Sequence, residues 1–267
     1  MSAKNGFEQL QNEYRKTAEK TLSTPEQKVY ALTVDELLKK LSAELDVLKA
    51  PLGKLNYNLH DVERFAETTH SGKASRFGLF LTAAINGVID EADTINLDIS
   101  GKTAEYLLTN LDRGTIVVSG GHMSFPCMNM SGGTVIIHTP HNGGLYRPGY
   151  KINGGKIVAF SDRNVMEPGM NMQDGEVTIM GCAKSPGYWM KSGTINIYGI
   201  QDGQSGCDSK GGRINISAPY GAAGHDCYAE IKFNGEKIET PGPNGHSSVE
   251  FGKRPSAYIN TELDVRQ

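Results

Sequence analysis

The chain has 267 residues, 38% of them hydrophobic, and a formal net charge of −3. This charge balance argues against a basic surface for nucleic acid or for an anionic membrane. The N-terminal residues lack the apolar segment of a secretory signal, and no run of about 18 apolar residues predicts a membrane span. The four cysteines form no CxxC pair. The sequence therefore predicts a cytoplasmic protein with reduced cysteines.

Residues 1–90 have apolar residues at the three- and four-residue spacing that is typical of helices. Thr33 and Glu36 have the spacing of a capping box and predict the start of one helix, which Pro51 is expected to stop. The predicted helices lie within residues 1–25, 33–51, 61–69 and 75–85. Their apolar stripes need a surface to cover, which is either the rest of this chain or a partner.

One phrase recurs six times between Leu111 and Gly212: an apolar residue, two turn residues, a glycine and a four-residue strand. Successive strands begin 19, 22, 20, 18 and 19 residues apart, and an earlier strand at 94–97 resembles one more copy. A period near 20 residues predicts a solenoid. The first strand residues are Thr115, Thr134, Lys156, Glu176, Thr194 and Arg213.

Within each strand the second and fourth residues are apolar, as expected where one face of a β-helix lines the core. Most residues at the first and third positions are polar, but Val117, Ile136 and Val158 interrupt the third position in three neighbouring coils. An outward apolar stripe more often marks a covered surface than an open one, so this stripe is predicted to face a partner. The residues before the glycines predict a further inward row: Met130, Ile152, Met172 and Met190.

The repeat fades after Ile216, and residues 231–238 predict a hairpin that turns at Asn234–Gly235. We predict a mainly β protein built on a single-stranded β-helix of six to seven coils. It divides into an α-helical region at 1–90, the β-helix at 91–217 and a C-terminal cap at 218–267. A solenoid needs caps on its open ends, and the two regions that flank the β-helix are the predicted caps.

The best copies of the phrase, at 169–181 and 187–199, resemble the GXGXG-repeat β-helix family. This family includes the β-helix subunit of formylmethanofuran dehydrogenase, its relative in the bacterial formyltransferase/hydrolase complex, and the C-terminal domain of glutamate synthase large subunits. The resemblance covers residues 94–216. Cys127 stands where the first glycine of the phrase is expected, and the glycine after the strand is missing after Ile137 and Ala159.

The resemblance implies a non-catalytic structural subunit that binds no cofactor itself and has catalytic protein subunits as partners. The first expectation is a one-carbon enzyme complex of the formylmethanofuran dehydrogenase or formyltransferase/hydrolase type. The alternative is a β-helix subunit of a glutamate-synthase-like amidotransferase complex, in which the solenoid would line an ammonia passage.

The residues themselves predict no catalytic or metal site. The pair His225 and Cys227 lacks companions at zinc-ligand spacing. No row of carboxylates stacks on the outward strand positions, which leaves a free-standing carbohydrate-active enzyme as a remote alternative. His122, His138 and His141 lie in or near loops of adjacent coils and are candidate loop contacts.

Overall fold

The computed structural model describes residues 5–19, 33–70, 72–139, 143–217, 220–223, 227–238 and 249–252. In these ranges four helices precede the strands: α1 (Gly6–Glu19), α2 (Val34–Leu52), α3 (Leu59–Thr68) and α4 (Ala74–Asn86). None of the helices in this part of the chain is long and apolar enough to cross a membrane.

The strands form a parallel β-helix of about seven coils, as predicted. The strands are β1 (Thr94–Asp98), β2 (Thr103–Glu105), β3 (Thr115–Ser119), β4 (His122–Ser124), β5 (Thr134–Thr139), β6 (Leu145–Tyr146), β7 (Asn153–Met166), β8 (Asp174–Lys184), β9 (Thr194–Ile197), β10 (Gln201–Asp202), β11 (Arg213–Ile216), β12 (Tyr220–Ala223), β13 (Glu230–Phe233), β14 (Glu236–Ile238) and β15 (Val249–Gly252). One sheet has the order β1-β3-β5-β7-β8-β9-β11-β13 and ends in the antiparallel strand β14. Coils 1 to 7 begin at Thr94, Thr115, Thr134, Lys156, Glu176, Thr194 and Arg213, which align in this sheet.

The predicted inward positions line the core. All twelve second and fourth strand residues are buried, and so is the row of Met130, Ile152, Met172 and Met190. Because the coils stack in register, each inward side chain packs on its equivalents in the coils before and after it. The predicted hairpin is also confirmed, since β13 and β14 pair in antiparallel fashion around Asn234 and Gly235.

The helices cover the open edge of coil 1. On this edge the amide of Asn96 donates to Glu63 Oε1 of α3 at 2.8 Å, and the amide of Leu108 donates to Thr82 Oγ1 of α4 at 2.7 Å. In later coils such amides donate to the neighbouring coil, as Cys127 does to the Leu107 carbonyl. Side chains of the cap therefore replace the acceptors of a missing preceding coil. The apolar stripes of the helices cover this chain's own solenoid.

Thr82 is fully buried and also donates to the carbonyl of Gly78 at 2.8 Å. We expect Thr82→Val, which keeps the shape but removes the hydroxyl, to leave the Leu108 amide unpaired and to cost roughly 1–3 kcal/mol. Amide hydrogen exchange of Leu108 should accelerate in this variant. Thr82→Ser is the matched control because it keeps the oxygen, and it should retain slow exchange. Slow exchange in Thr82→Val would contradict this role.

Helix α2 lies along one side of the solenoid. Its Asp35 pairs with Lys151 of coil 3, and its Ser42 Oγ accepts from Asn110 Nδ2 of coil 1 at 3.2 Å. Seven helical residues rise about 10.5 Å, and two coils rise about 9.6 Å. The helix therefore runs parallel to the solenoid axis beside coils 1 to 3.

The prediction that Pro51 stops α2 was wrong, because the helix continues through Pro51 to Leu52. Proline is costly in a helix interior because it lacks an amide donor and crowds the preceding turn. Here it lies in the last turn, where the Gly53 amide still donates to the Lys49 carbonyl at 2.8 Å. The extra residue places Leu52 in the core, at 2% exposure. The capping box of Thr33 and Glu36 is confirmed.

Candidate docking face

The predicted outward stripe stacks as one column on the flat sheet. Val117 aligns with Ile136, and Ile136 aligns with Val158, each in the next coil. All three side chains are half-buried because their neighbours in the sheet cover their edges. These three residues therefore form one continuous column on the sheet.

A second apolar column, which the sequence pattern did not predict, adjoins this stripe. Phe160 and Met180 align in β7 and β8, and Tyr198 follows the last residue of β9. Their exposed fractions are 39%, 40% and 56%, respectively, which is high for large apolar side chains. We call the two columns together the docking face: Val117, Ile136, Val158, Phe160, Met180 and Tyr198.

His138 lies at the N-terminal end of the second column. Its ring stacks on Phe160, with ring centroids 4.7 Å apart and an angle of 6° between the planes. The repeat pattern does not predict this column, because its residues stand between the four-residue strand and the family's glycine, at a position for which the pattern specifies no residue type. The second column could have been predicted from one signal in the sequence: three successive coils have a large side chain directly after the four-residue strand.

The rest of the same sheet face is polar and internally paired. Asn196 Nδ2 donates to Glu176 Oε1 at 3.1 Å, and Asn215 Nδ2 donates to Asn196 Oδ1 at 2.7 Å. Glu176 also pairs with Lys156 at 3.3 Å. These side chains satisfy one another's hydrogen-bonding groups, whereas Phe160, Met180 and Tyr198 leave a large part of their apolar surface exposed.

One corner of the solenoid, next to Phe160 and Met180, takes up the differences in length among coils 1 to 5. Beyond this corner the coils pair again, in a row formed by Ala104, Met123, Leu145, Val165 and Ala183. Between the fourth residue of each repeat strand and this row, coils 1 to 5 have six, four, seven, five and three residues, respectively. The distances in sequence between the starts of successive repeat strands differ by the same numbers of residues. The rest of each of these coils therefore has a constant length. In repeat proteins such insertions map to one face, which is often the binding face.

The predicted histidine contacts do not form one site. His138 lies beside the docking face, against Phe160, whereas His122 lies on β4, beyond the corner, with its ring beside the backbone of Gly144. The two have different neighbours and share no hydrogen bond or ring contact with each other. His141 lies outside the described residues.

Among the described residues, no group of three or more His, Cys, Asp and Glu side chains could hold a metal ion. The outward column that includes Glu176 has Lys156 before it and Thr194 after it, so carboxylates do not stack there. Cys127 is fully buried, and burial raises the pKa of its thiol. A protonated, buried thiol is a poor nucleophile.

The docking face is therefore an exposed apolar surface on the described part of the chain. Comparison of the chain with protein-family models, with curated proteins and with solved structures finds no match.

Proposed function

We propose that this protein is a non-catalytic structural subunit of a cytoplasmic multi-subunit enzyme, and that the docking face binds a catalytic subunit. The observation that supports this proposal is the uncovered apolar surface beside the corner where coil length varies. Contiguous apolar patches of this kind mark interaction sites in soluble proteins. The repeat's resemblance to the GXGXG family favours a one-carbon enzyme complex, with no cofactor on this chain.

The area of the docking face sets a limit on what it can do alone. Five coils span about 24 Å, and five strand residues span about 16 Å, which gives roughly 400 Å². A stable interface buries about 800 Å² on each partner. The catalytic subunit must therefore extend past this face.

The proposal predicts that Phe160→Asp combined with Met180→Asp will release the partner. Both side chains are exposed, so the free chain should keep its thermal unfolding temperature, while affinity falls at least tenfold because charges replace desolvated apolar contacts. The measurement is the amount of each subunit that co-purifies with the tagged chain from its native cell. Thr194→Asp is the control, since it adds a charge to the same sheet in its polar half, next to Arg213.

The identity of the co-purifying subunits separates the candidate functions. A formyltransferase-type or amidohydrolase-like subunit supports the one-carbon complex. An FMN and iron–sulfur synthase with a glutaminase supports the amidotransferase complex instead. A chain that purifies alone and cleaves polysaccharide would overturn both and favour the remote alternative, a free-standing enzyme.

A further inference from the structure

The side wall of the solenoid, on which α2 lies, is covered by that helix only along coils 1 to 3. Backbone hydrogen bonds between coils define two outward rows on this wall. One row has Asn110, Asn129, Lys151, Asn171, Trp189 and Asp208, and the other has Ser131, Asn153, Gln173, Lys191, Lys210 and Tyr228. The part of the wall in coils 4 to 7, which we call the distal wall, continues the same surface beyond α2.

Two exposed lysines lie next to each other on the distal wall. The amide of Lys210 donates to the carbonyl of Met190, which places Lys210 one coil, or about 4.8 Å, beyond Lys191. Neither side chain forms an ion pair with a described residue. Like charges at this separation repel each other, so a negatively charged partner would stabilise the pair.

Two exposed aromatic residues flank the lysines. Trp189 is 45% exposed and Tyr228 is 55% exposed. The indole Nε1 of Trp189 donates to Asp208 Oδ2 at 3.2 Å, and its ring packs edge-on against Tyr188 at 5.0 Å. The indole is therefore held in place while part of its surface remains open. Fixed aromatic side chains of this kind are typical anchors of protein interfaces.

The covered part of the wall shows what kind of element this surface accommodates. Helix α2 places its acidic first turn, with Asp35, against Lys151. The hydrogen bond and charge of Lys151, and at longer range the charge of Lys191, lower the pKa of Asp35. Seven helical residues and two coils have nearly the same length along the solenoid axis. This agreement in length also holds on the distal wall, because the spacing between coils is the same there.

We propose that the distal wall is a docking site for an acidic amphipathic helix of a partner protein. The helix would lie parallel to the solenoid axis, end to end with α2. Its carboxylates would face Lys191 and Lys210, and its apolar residues would pack on Trp189 and Tyr228. This site is separate from the docking face and does not depend on which enzyme complex the chain serves.

Trp189 is the single tryptophan of the chain, so its fluorescence reports on the distal wall alone. The probes are two synthetic helical peptides with identical apolar residues, one with glutamates and one with lysines at the positions that face the wall. We expect the glutamate peptide to shift the emission to shorter wavelength in a saturable manner, and to bind at least tenfold more tightly than the lysine peptide. Lys191→Glu combined with Lys210→Glu should reverse this preference.

Lys39→Glu combined with Lys54→Glu is the control, since both residues are exposed and lie on or after α2, away from the distal wall. It should leave the preference unchanged. If the charge-reversed variant unfolds, the difference in affinity of the wild-type chain for the two peptides tests the proposal by itself. Equal binding of both peptides, or no change in emission with either, would overturn it. A shift that depends on the concentration of the chain without peptide would assign the wall to a second copy instead.

Discussion

Replacing Gly78 with alanine should destabilise the protein by about 3 kcal/mol or more, although alanine is normally the better helix residue by about 1 kcal/mol. Gly78 lies within α4, where the cap meets coil 1. A Cβ atom at this position would be 2.0 Å from the carbonyl oxygen of Glu105 on β2. Because that oxygen belongs to the backbone, no side-chain rotation can relieve the clash. The helix would have to move away from the solenoid.

That movement would break a specific hydrogen bond as well as lower global stability. Thr82 is four residues beyond Gly78, and its hydroxyl accepts from the Leu108 amide. Urea unfolding measures the free energy, and amide exchange of Leu108 reports separation of the cap. Gly101→Ala is the control: it has no atom within 4 Å of the new Cβ, but its φ is +71°. It should cost only about 1–2 kcal/mol. A stabilised Gly78→Ala protein would show that α4 does not rest directly on coil 1.

The solenoid could be predicted from the sequence because its signal repeats. Each copy of the phrase places two apolar residues at period two, and the copies reinforce one another even where Cys127 replaces glycine. The backbone path is kept despite that substitution, since Cys127 adopts a left-handed φ of 59° like the glycines aligned with it. Proline supplies a further signal: it precedes these residues at 126, 148, 168 and 186, and the carbonyls of these prolines accept from the amides one coil later.

The cap and the full docking face were harder to predict because they depend on contacts between distant segments. Nothing local to Glu63 or Thr82 indicates that each would complete the edge of a coil many residues away. Phe160 and Met180 follow the four-residue strand of the sequence repeat, at a position where a glycine-based pattern gives no expectation. Their exposure is determined by the coil register, which only the paired strands establish.

Replacing Gly199 with alanine should cost at least about 3 kcal/mol, for a reason that differs from the usual one for glycine. The backbone at Gly199 does not have a left-handed φ, so alanine could adopt its conformation. The difficulty is space: a Cβ atom would be 2.3 Å from the carbonyl oxygen and 2.4 Å from the carbonyl carbon of Gly181 in the preceding coil. Coils 5 and 6 would have to separate locally, which would expose the inward row that includes Ile179 and Ile197.

Gly235→Ala provides the contrasting control. Gly235 has a φ of +87° in the hairpin turn, and no atom lies within 4 Å of an added Cβ. Alanine there must adopt a left-handed conformation, which costs about 1–2 kcal/mol, but it displaces nothing. If urea unfolding shows Gly235→Ala to be the more damaging change, backbone conformation rather than coil spacing limits this solenoid. The opposite order, which we expect, means that the glycine after the strand is required by the close approach of the preceding coil.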